Sequence, residues 1–308
     1  MQTDRLNQTI RLQDGRVLGF AEAGDPEGDV FFHFHGLYSS RLEVKIMHDV
    51  MQKAGIRVIG IDRPGMGLST YQKERTILGF AADVEALADA LGIVRFSLLA
   101  VSAGAPYALA CSLRLRDRIN FCGMVSALPP VEEVGENYML PESRFFIKVA
   151  RLAPWFLKPM FWFLHGRFSK RQKDREKFLS HILFYLDDAD KRLIEGENTR
   201  RFLAEIFSEG YRQGVSGAVE DAILLFAKPW GFRLRDITFA PIRLWHGERD
   251  RGVPIEMIKE MTYLLEGAVL KTYLNEGHLS IIFNHLDDIV EDIRKIREEN
   301  TYSLQQNK

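Results

Sequence analysis

Along most of this chain, short uninterrupted apolar runs alternate with helical patterns, and that alternation narrows the fold more than any other feature. Residues 30–34, 57–61 and 96–101 are dominated by Val, Ile, Leu and Phe, and each run stops at a loop: His35-Gly36, Asp62-Arg63-Pro64-Gly65 and Ser102 respectively. A strand with one wet face alternates apolar and polar residues. Consecutive apolar residues suit a strand covered on both faces, as in a parallel sheet. Helical patterns fill the gaps at 42–54, 78–91 and 103–114; in the clearest, Phe80, Val84, Leu87, Ala88 and Leu91 recur at the spacing of one helix face. A further strand begins at 121–126. This repeated order predicts an α/β fold, a mostly parallel sheet covered by helices. Residues 9–13 and 17–23, on either side of Asp14-Gly15, read as an N-terminal hairpin.

From 129 to 230 the strand signal stops. The stretch is helical in character, rich in aromatics (Trp155, Phe156, Phe161, Trp162 and Phe163 among them), and carries a basic run from Arg167 to Lys177 that reads as a solvated helix face. Alternation then resumes, with strands at 242–245 and 269–274 and helices at 255–265 and 281–296. Residues 1–128 and 231–300 are therefore expected to form one core and 129–230 a helical cap or lid inserted into it. Residues 301–308 read as a flexible polar tail.

Charge and composition exclude several classes of partner. With 41 basic and 42 acidic residues the formal net charge is −1, which gives no sustained attraction to phosphate backbones, so no nucleic-acid partner is expected. The longest apolar-aromatic stretch, 152–164, contains Pro154, Lys158 and Pro159 and falls short of the ~18 residues of a spanning helix, so no integral membrane segment is expected. No secretory leader is visible at Met1-Gln2-Thr3-Asp4-Arg5. The two cysteines, Cys111 and Cys122, lie in apolar surroundings without metal-ligand spacing, which fits free thiols in a reducing cytoplasm. No ligand cluster for a metal and no phosphate-cradling glycine motif occurs, so neither metal nor cofactor is expected.

The most informative segment is Leu98-Leu99-Ala100-Val101-Ser102-Ala103-Gly104-Ala105. A nucleophilic serine must project its Oγ clear of the backbone while the next amide faces the substrate carbonyl. A sharp strand-to-helix turn does both, but it demands small residues two before and two after the serine. Ala100 and Gly104 satisfy this, although Ala100 departs from the usual G-x-S-x-G. A serine hydroxyl needs a base. His278, in Asn275-Glu276-Gly277-His278 just past the 269–274 strand, is placed for the task, with Gly277 supplying the turn. The third member, which orients the imidazole and stabilises its protonated form, is assigned to Asp250, just past the 242–245 strand, with Glu248 in the same loop as runner-up. Oxyanion donors are expected from the backbone N–H of Ala103 and from that of Leu37, after Gly36 has turned the chain.

The chain order Ser102, Asp250, His278 resembles the α/β-hydrolase family, as do His35-Gly36, the segment from Asp62 to Ser69, and Gly247-Glu248-Arg249-Asp250 before Val253-Pro254. These matches cover nearly everything outside 129–230. The resemblance implies an eight-stranded, mostly parallel sheet with a helical cap after the sixth strand, and a purely structural turn at 62–69. Members with an aspartate nucleophile are disfavoured, because serine occupies position 102. The expected activity is that of a serine hydrolase acting on a small-molecule substrate, a small or medium apolar carboxylic ester, through an acyl-serine intermediate. A C–C bond, lactone or amide hydrolase with the same triad, and a ligand-binding or signalling protein on the same fold, remain alternatives. Trp155, Met160 and Trp162 are candidates for an apolar substrate pocket under the cap.

Overall fold

The computed structural model describes residues 4–165, 186–239 and 241–306. Eight strands form one sheet: β1 (Gln8–Arg11), β2 (Val17–Gly24), β3 (Asp29–Phe34), β4 (Ile56–Ile61), β5 (Phe96–Val101), β6 (Ile119–Val125), β7 (Ile242–Gly247) and β8 (Ala268–Tyr273). In space they run β1-β2-β4-β3-β5-β6-β7-β8. Only the pairings of β2, with β1 and with β4, are antiparallel; the other five are parallel. Burial follows position in the sheet. Central β5 is buried at every residue, whereas the edge strand β1 alternates between half-buried and exposed.

Successive strand residues point to opposite faces, and the core divides accordingly. Phe32, Phe34, Leu98 and Ala100 meet the buried faces of α2 (Phe80–Ala90) and α3 (Ala105–Arg114) on one side. Phe31, Leu99, Val101 and Trp245 pack on the other side with Met51 of α1 (His48–Lys53) and residues of the C-terminal helix. The helix expected over 42–54 starts as a 3-10 turn, Arg41–Met47. Ser40 caps it through its Oγ, and Asp62 holds the Arg41 amide at 2.7 Å.

Between β6 and β7, after the sixth strand, lie α4 (Val131–Val134), α5 (Pro141–Leu152), α6 (Pro154–His165), α7 (Asp188–Glu195), α8 (Glu197–Gly210) and α9 (Ser216–Phe226). No strand interrupts them among the described residues. The basic run 167–177 lies outside the described residues. After β7 come α10 (Ile255–Leu264) and α11 (Ser280–Gln306), the latter with a break at His285. The expected tail from 301 is thus helical in backbone as far as Gln306. Arg294 pairs with both Glu291 and Glu298 just upstream, which supports continuation. No helix among the described residues is long and apolar enough to cross a membrane.

Buried ion pairs fasten the helices between β6 and β7 to the loops and helices around the sheet. Asp221 of α9, fully buried, accepts from Arg63 Nε (2.8 Å), Arg75 Nη2 (2.7 Å) and the Tyr107 hydroxyl (2.5 Å). Glu209 of α8 accepts from the buried Arg41 (2.6 Å), whose guanidinium also reaches Asp62 and the Leu6 carbonyl.

Candidate active site

Sheet order explains why distant loops meet. β3 lies between β4 and β5, so the chain leaves it in one direction and returns on the other side. The loops after β3 and β5 therefore open beside each other at the carboxyl edge. β7 and β8 run parallel to them and deliver their loops to the same edge.

Ser102 follows the last residue of β5 and starts a 3-10 turn, Ser102–Gly104, that leads into α3. Its φ is +52°, in the left-handed region that a serine rarely adopts, as a sharp strand-to-helix elbow requires. A Cβ on Gly104 would stand 2.1 Å from the Phe34 carbonyl oxygen, so only glycine fits where α3 crosses β3.

The loop after β3 closes against the serine; a Cβ on Gly36 would be 3.9 Å from that of Ser102. Its conformation is fixed by Glu43, which accepts the Gly36 N–H (3.0 Å), and by Arg63, which donates to the carbonyls of His35 (2.6 Å) and Gly36 (3.0 Å). In a trans peptide the C=O and the following N–H point in opposite directions. Pinning the Gly36 carbonyl on Arg63 therefore turns the Leu37 N–H the other way, and this N–H makes no hydrogen bond among the described residues. Arg63 is held in turn by Asp221. The sequence reading gave the 62–69 segment no part in the site; its arginine shapes the loop that carries Leu37. His35 is fully buried. Burial and the nearby Arg63 drive its pKa well below the ordinary imidazole value, so it stays neutral, and its Nδ1 bonds the Gly36 carbonyl (2.8 Å).

His278 links the other two loops. Its Nε2 lies 2.9 Å from Ser102 Oγ and its Nδ1 lies 2.7 Å from Asp250 Oδ2. With the ring proton on Nδ1, His278 donates to Asp250 and accepts from the serine hydroxyl. Asp250 is buried, and its Oδ1 accepts the Gly252 and Val253 amides at 2.8 and 2.9 Å. Burial pushes its carboxyl up, but His278, His246 and the Val253 amide outweigh this and hold it below the usual range, as a carboxylate. For His278 burial acts downward. The carboxylates of Asp250, Asp190 and Glu43 prevail, and its pKa is raised above 6.5. Glu248, the runner-up, accepts from Thr272 (2.7 Å) instead, and Arg249 pairs with Asp187.

The family model of the alpha/beta hydrolase fold matches residues 29–285, most of the chain. The chain belongs to the alpha/beta-hydrolase family. No curated protein sequence matches it. Among solved structures, an esterase from Exiguobacterium antarcticum superposes with a TM-score of 0.71 at 17% identity, covering 94% of this chain and 99% of that one. An enol-lactonase from Burkholderia xenovorans gives 0.68 at 16%, covering 94% and 100%. A carboxylesterase structure from the archaeon Nitrososphaera gargenis gives 0.71 at 16%, covering 95% and 100%. At such identities the likeness is one of fold.

Two residues that secure the histidine loop of this α/β-hydrolase carried no sequence signal. Ser126, just past β6, donates from Oγ to the His278 carbonyl (2.9 Å). Asp190 of α7 accepts the His278, Leu279 and Ser280 amides. Gly277, read as a flexible turn, does not have a positive φ; its missing Cβ instead makes room for the Asp190 carboxylate. Two of the proposed pocket residues lie elsewhere. Trp155 and Trp162 are 75% and 67% exposed on the outer face of α6, because Leu157 and Phe161 take its buried face. Met160 is half-buried and packs against the insertion-side core. The aromatic ring beside the Leu37 loop is Tyr38, with Phe161 at 5.5 Å and Tyr211 at 6.1 Å between ring centroids.

Among the described residues no three His, Cys, Asp or Glu side chains are grouped to hold a metal. Both cysteines are buried and free, and burial pushes the Cys122 thiol up to about 12 and Cys111 well above its ordinary value.

Proposed function

We propose that this α/β-hydrolase is a serine hydrolase that cleaves small or medium apolar carboxylic esters through an acyl-Ser102 intermediate. The observation that carries this reading is the continuous hydrogen-bonded chain Ser102 Oγ, His278 Nε2, His278 Nδ1, Asp250 Oδ2. Ser102 Oγ attacks the ester carbonyl as His278 Nε2 takes its proton, and Asp250 stabilises the resulting imidazolium. The oxyanion of the tetrahedral intermediate accepts from the amides of Leu37 and Ala103, donors whose loss typically costs on the order of 10²–10³ in rate. Collapse expels the alkoxide, which leaves as the alcohol with the proton from His278. Water, deprotonated by the same imidazole, attacks the acyl carbonyl and releases the acid and Ser102.

The apolar preference is supported by Tyr38, Phe161 and Tyr211 beside the Leu37 loop, with the helical insertion acting as a cap over the site. The solved relatives bear names of both an esterase and an enol-lactonase. Lactone opening uses the same acyl chemistry and is the second reading. Buried free thiols suit a cytoplasmic protein.

The test joins a fluorophosphonate probe to a panel of p-nitrophenyl esters and lactones of rising chain length. Stoichiometric labelling and ester turnover are expected, both lost in Ser102→Ala. Full turnover by Ser102→Ala would remove the serine assignment; labelling with no turnover of any ester or lactone would favour a binding protein on this fold.

A further inference from the structure

We propose that Asp190, carried by the helical insertion, is a positioning residue for the general base: it grips the backbone of the His278 loop and holds the imidazole at the height where it spans Ser102 and Asp250. This rests on the triad reading above and extends it to the insertion.

Asp190 is fully buried on α7, 88 residues before the histidine. Its Oδ2 accepts the His278 N–H at 2.9 Å, and its Oδ1 accepts the N–H groups of Leu279 (2.9 Å) and Ser280 (2.8 Å). These amides lead into α11, at whose start the first N–H groups have no partners within the helix. The insertion thus supplies from a distance the acceptor that a capping side chain usually provides locally. On the far side of the same residue Ser126 Oγ donates to the His278 carbonyl, so His278 is held at both its N–H and its C=O.

A second observation points the same way. A Cβ on Gly277 would stand 2.5–2.7 Å from all three carboxyl atoms of Asp190, while the backbone there needs no positive φ. The glycine is required by the carboxylate, not by the turn. The charge matters as well as the grip. Besides Asp250, which bonds the ring, the carboxylates of Asp190 on α7 and Glu43 in the 3-10 turn after β3 favour the charged imidazole. His246 stands behind Asp250, 3.6 Å from its Oδ2.

Asp190→Asn keeps the shape of the side chain but removes the charge and one acceptor oxygen. In that variant kcat is expected to fall by on the order of 10²-fold, the usual consequence of a displaced catalytic group, with KM within about threefold. The acid limb of the pH profile of kcat/KM should move to lower pH, because a carboxylate favouring the imidazolium has gone. An NMR titration of the His278 ring in the Ser102→Ala background should show the same downward shift without reference to turnover. Gly277→Ala, which drives Asp190 away while retaining its charge, should reproduce the fall in kcat. In an Asp190→Ala background it should add little, since the two changes remove one contact. Asp188→Asn, on the exposed side of the same helix, should leave both readouts unchanged. Rates are expressed per folded molecule titrated by circular dichroism, so that lost stability does not imitate lost catalysis. An Asp190→Asn protein that keeps kcat within twofold and an unmoved acid limb, while Ser102→Ala is inactive, overturns the proposal and leaves the triad standing. Turnover by Ser102→Ala defeats the triad reading itself, and the role of Asp190 with it.

Discussion

Ser102, His278 and Asp250 differ in how far water reaches them. The serine is half-exposed, the imidazole shows only its edge and the carboxylate is sealed inside. In the proposed mechanism that gradient would let a substrate reach the hydroxyl while the charged end of the chain stays fixed in tautomer and orientation. Asp250→Asn would offer an amide where His278 needs an acceptor, and kcat is expected to drop by about 10⁴. Glu248→Gln, which changes only a bond to Thr272, should leave turnover near wild type. Kinetics of the two variants decide between them, and the reverse ranking would return the assignment to Glu248. The meeting of these three candidate residues was legible in the sequence because each lies in the loop that leaves the carboxyl end of a strand, where a parallel sheet gathers its loops. Asp190, Ser126 and Arg63 were not. Each acts by holding another residue's backbone, and such contacts leave no local pattern.

Strands and helices show the same division. The runs at 30–34, 57–61 and 96–101 became buried parallel strands because no face of them meets water, and the face formed by Phe80, Val84, Leu87 and Ala88 became the buried side of α2. The spatial order of strands was not readable from pattern alone, since periodicity records burial and not neighbours. Aromatic richness in α6 failed as a guide to direction: it identified a helix with much apolar surface, but Trp155 and Trp162 ended on the outside. The elbow between β5 and α3 leaves no room for a side chain at Gly104. In Gly104→Ala the added methyl would meet the Phe34 carbonyl at 2.1 Å, a backbone atom in the middle of the sheet. Relief requires moving α3 against β3, so Ser102 should react with fluorophosphonate at least tenfold more slowly and thermal unfolding should begin earlier. Unchanged labelling would mean that the elbow is softer than its packing implies.

At the scale of the whole molecule, charge ties the helices between β6 and β7 to the sheet and its loops. Asp221 neutralises two buried guanidiniums at once, and among the described residues no other carboxylate pairs with either. Asp221→Ala is expected to cost about 3–5 kcal/mol, read from denaturant unfolding, and to slow acylation through Arg63 and the Leu37 loop. A loss below about 1 kcal/mol would show that water replaces the carboxylate. Burial opposes its charge, but Arg63, Arg75 and Tyr107 lower its pKa to about 2. A carboxyl depressed on folding stabilises the native state above its unfolded value of 3.8 and ceases to do so as pH falls through the folded one. Acid should therefore loosen this connection between about pH 4 and pH 2, and Asp221→Asn should flatten the stability curve across that interval.

The two cysteines, sequestered on α3 and β6 with thiols that resist ionisation, divide the protein's reactivity into compartments. In the native state an electrophile finds no accessible sulfur anion, so labelling of the folded protein by a fluorophosphonate would not be reporting on a cysteine. Once the interior opens, both sulfurs become available to maleimides or disulfide reagents. If Ser102 is the nucleophile proposed above, one chain carries two independent chemical clocks, one timing acylation and the other timing collapse of the core.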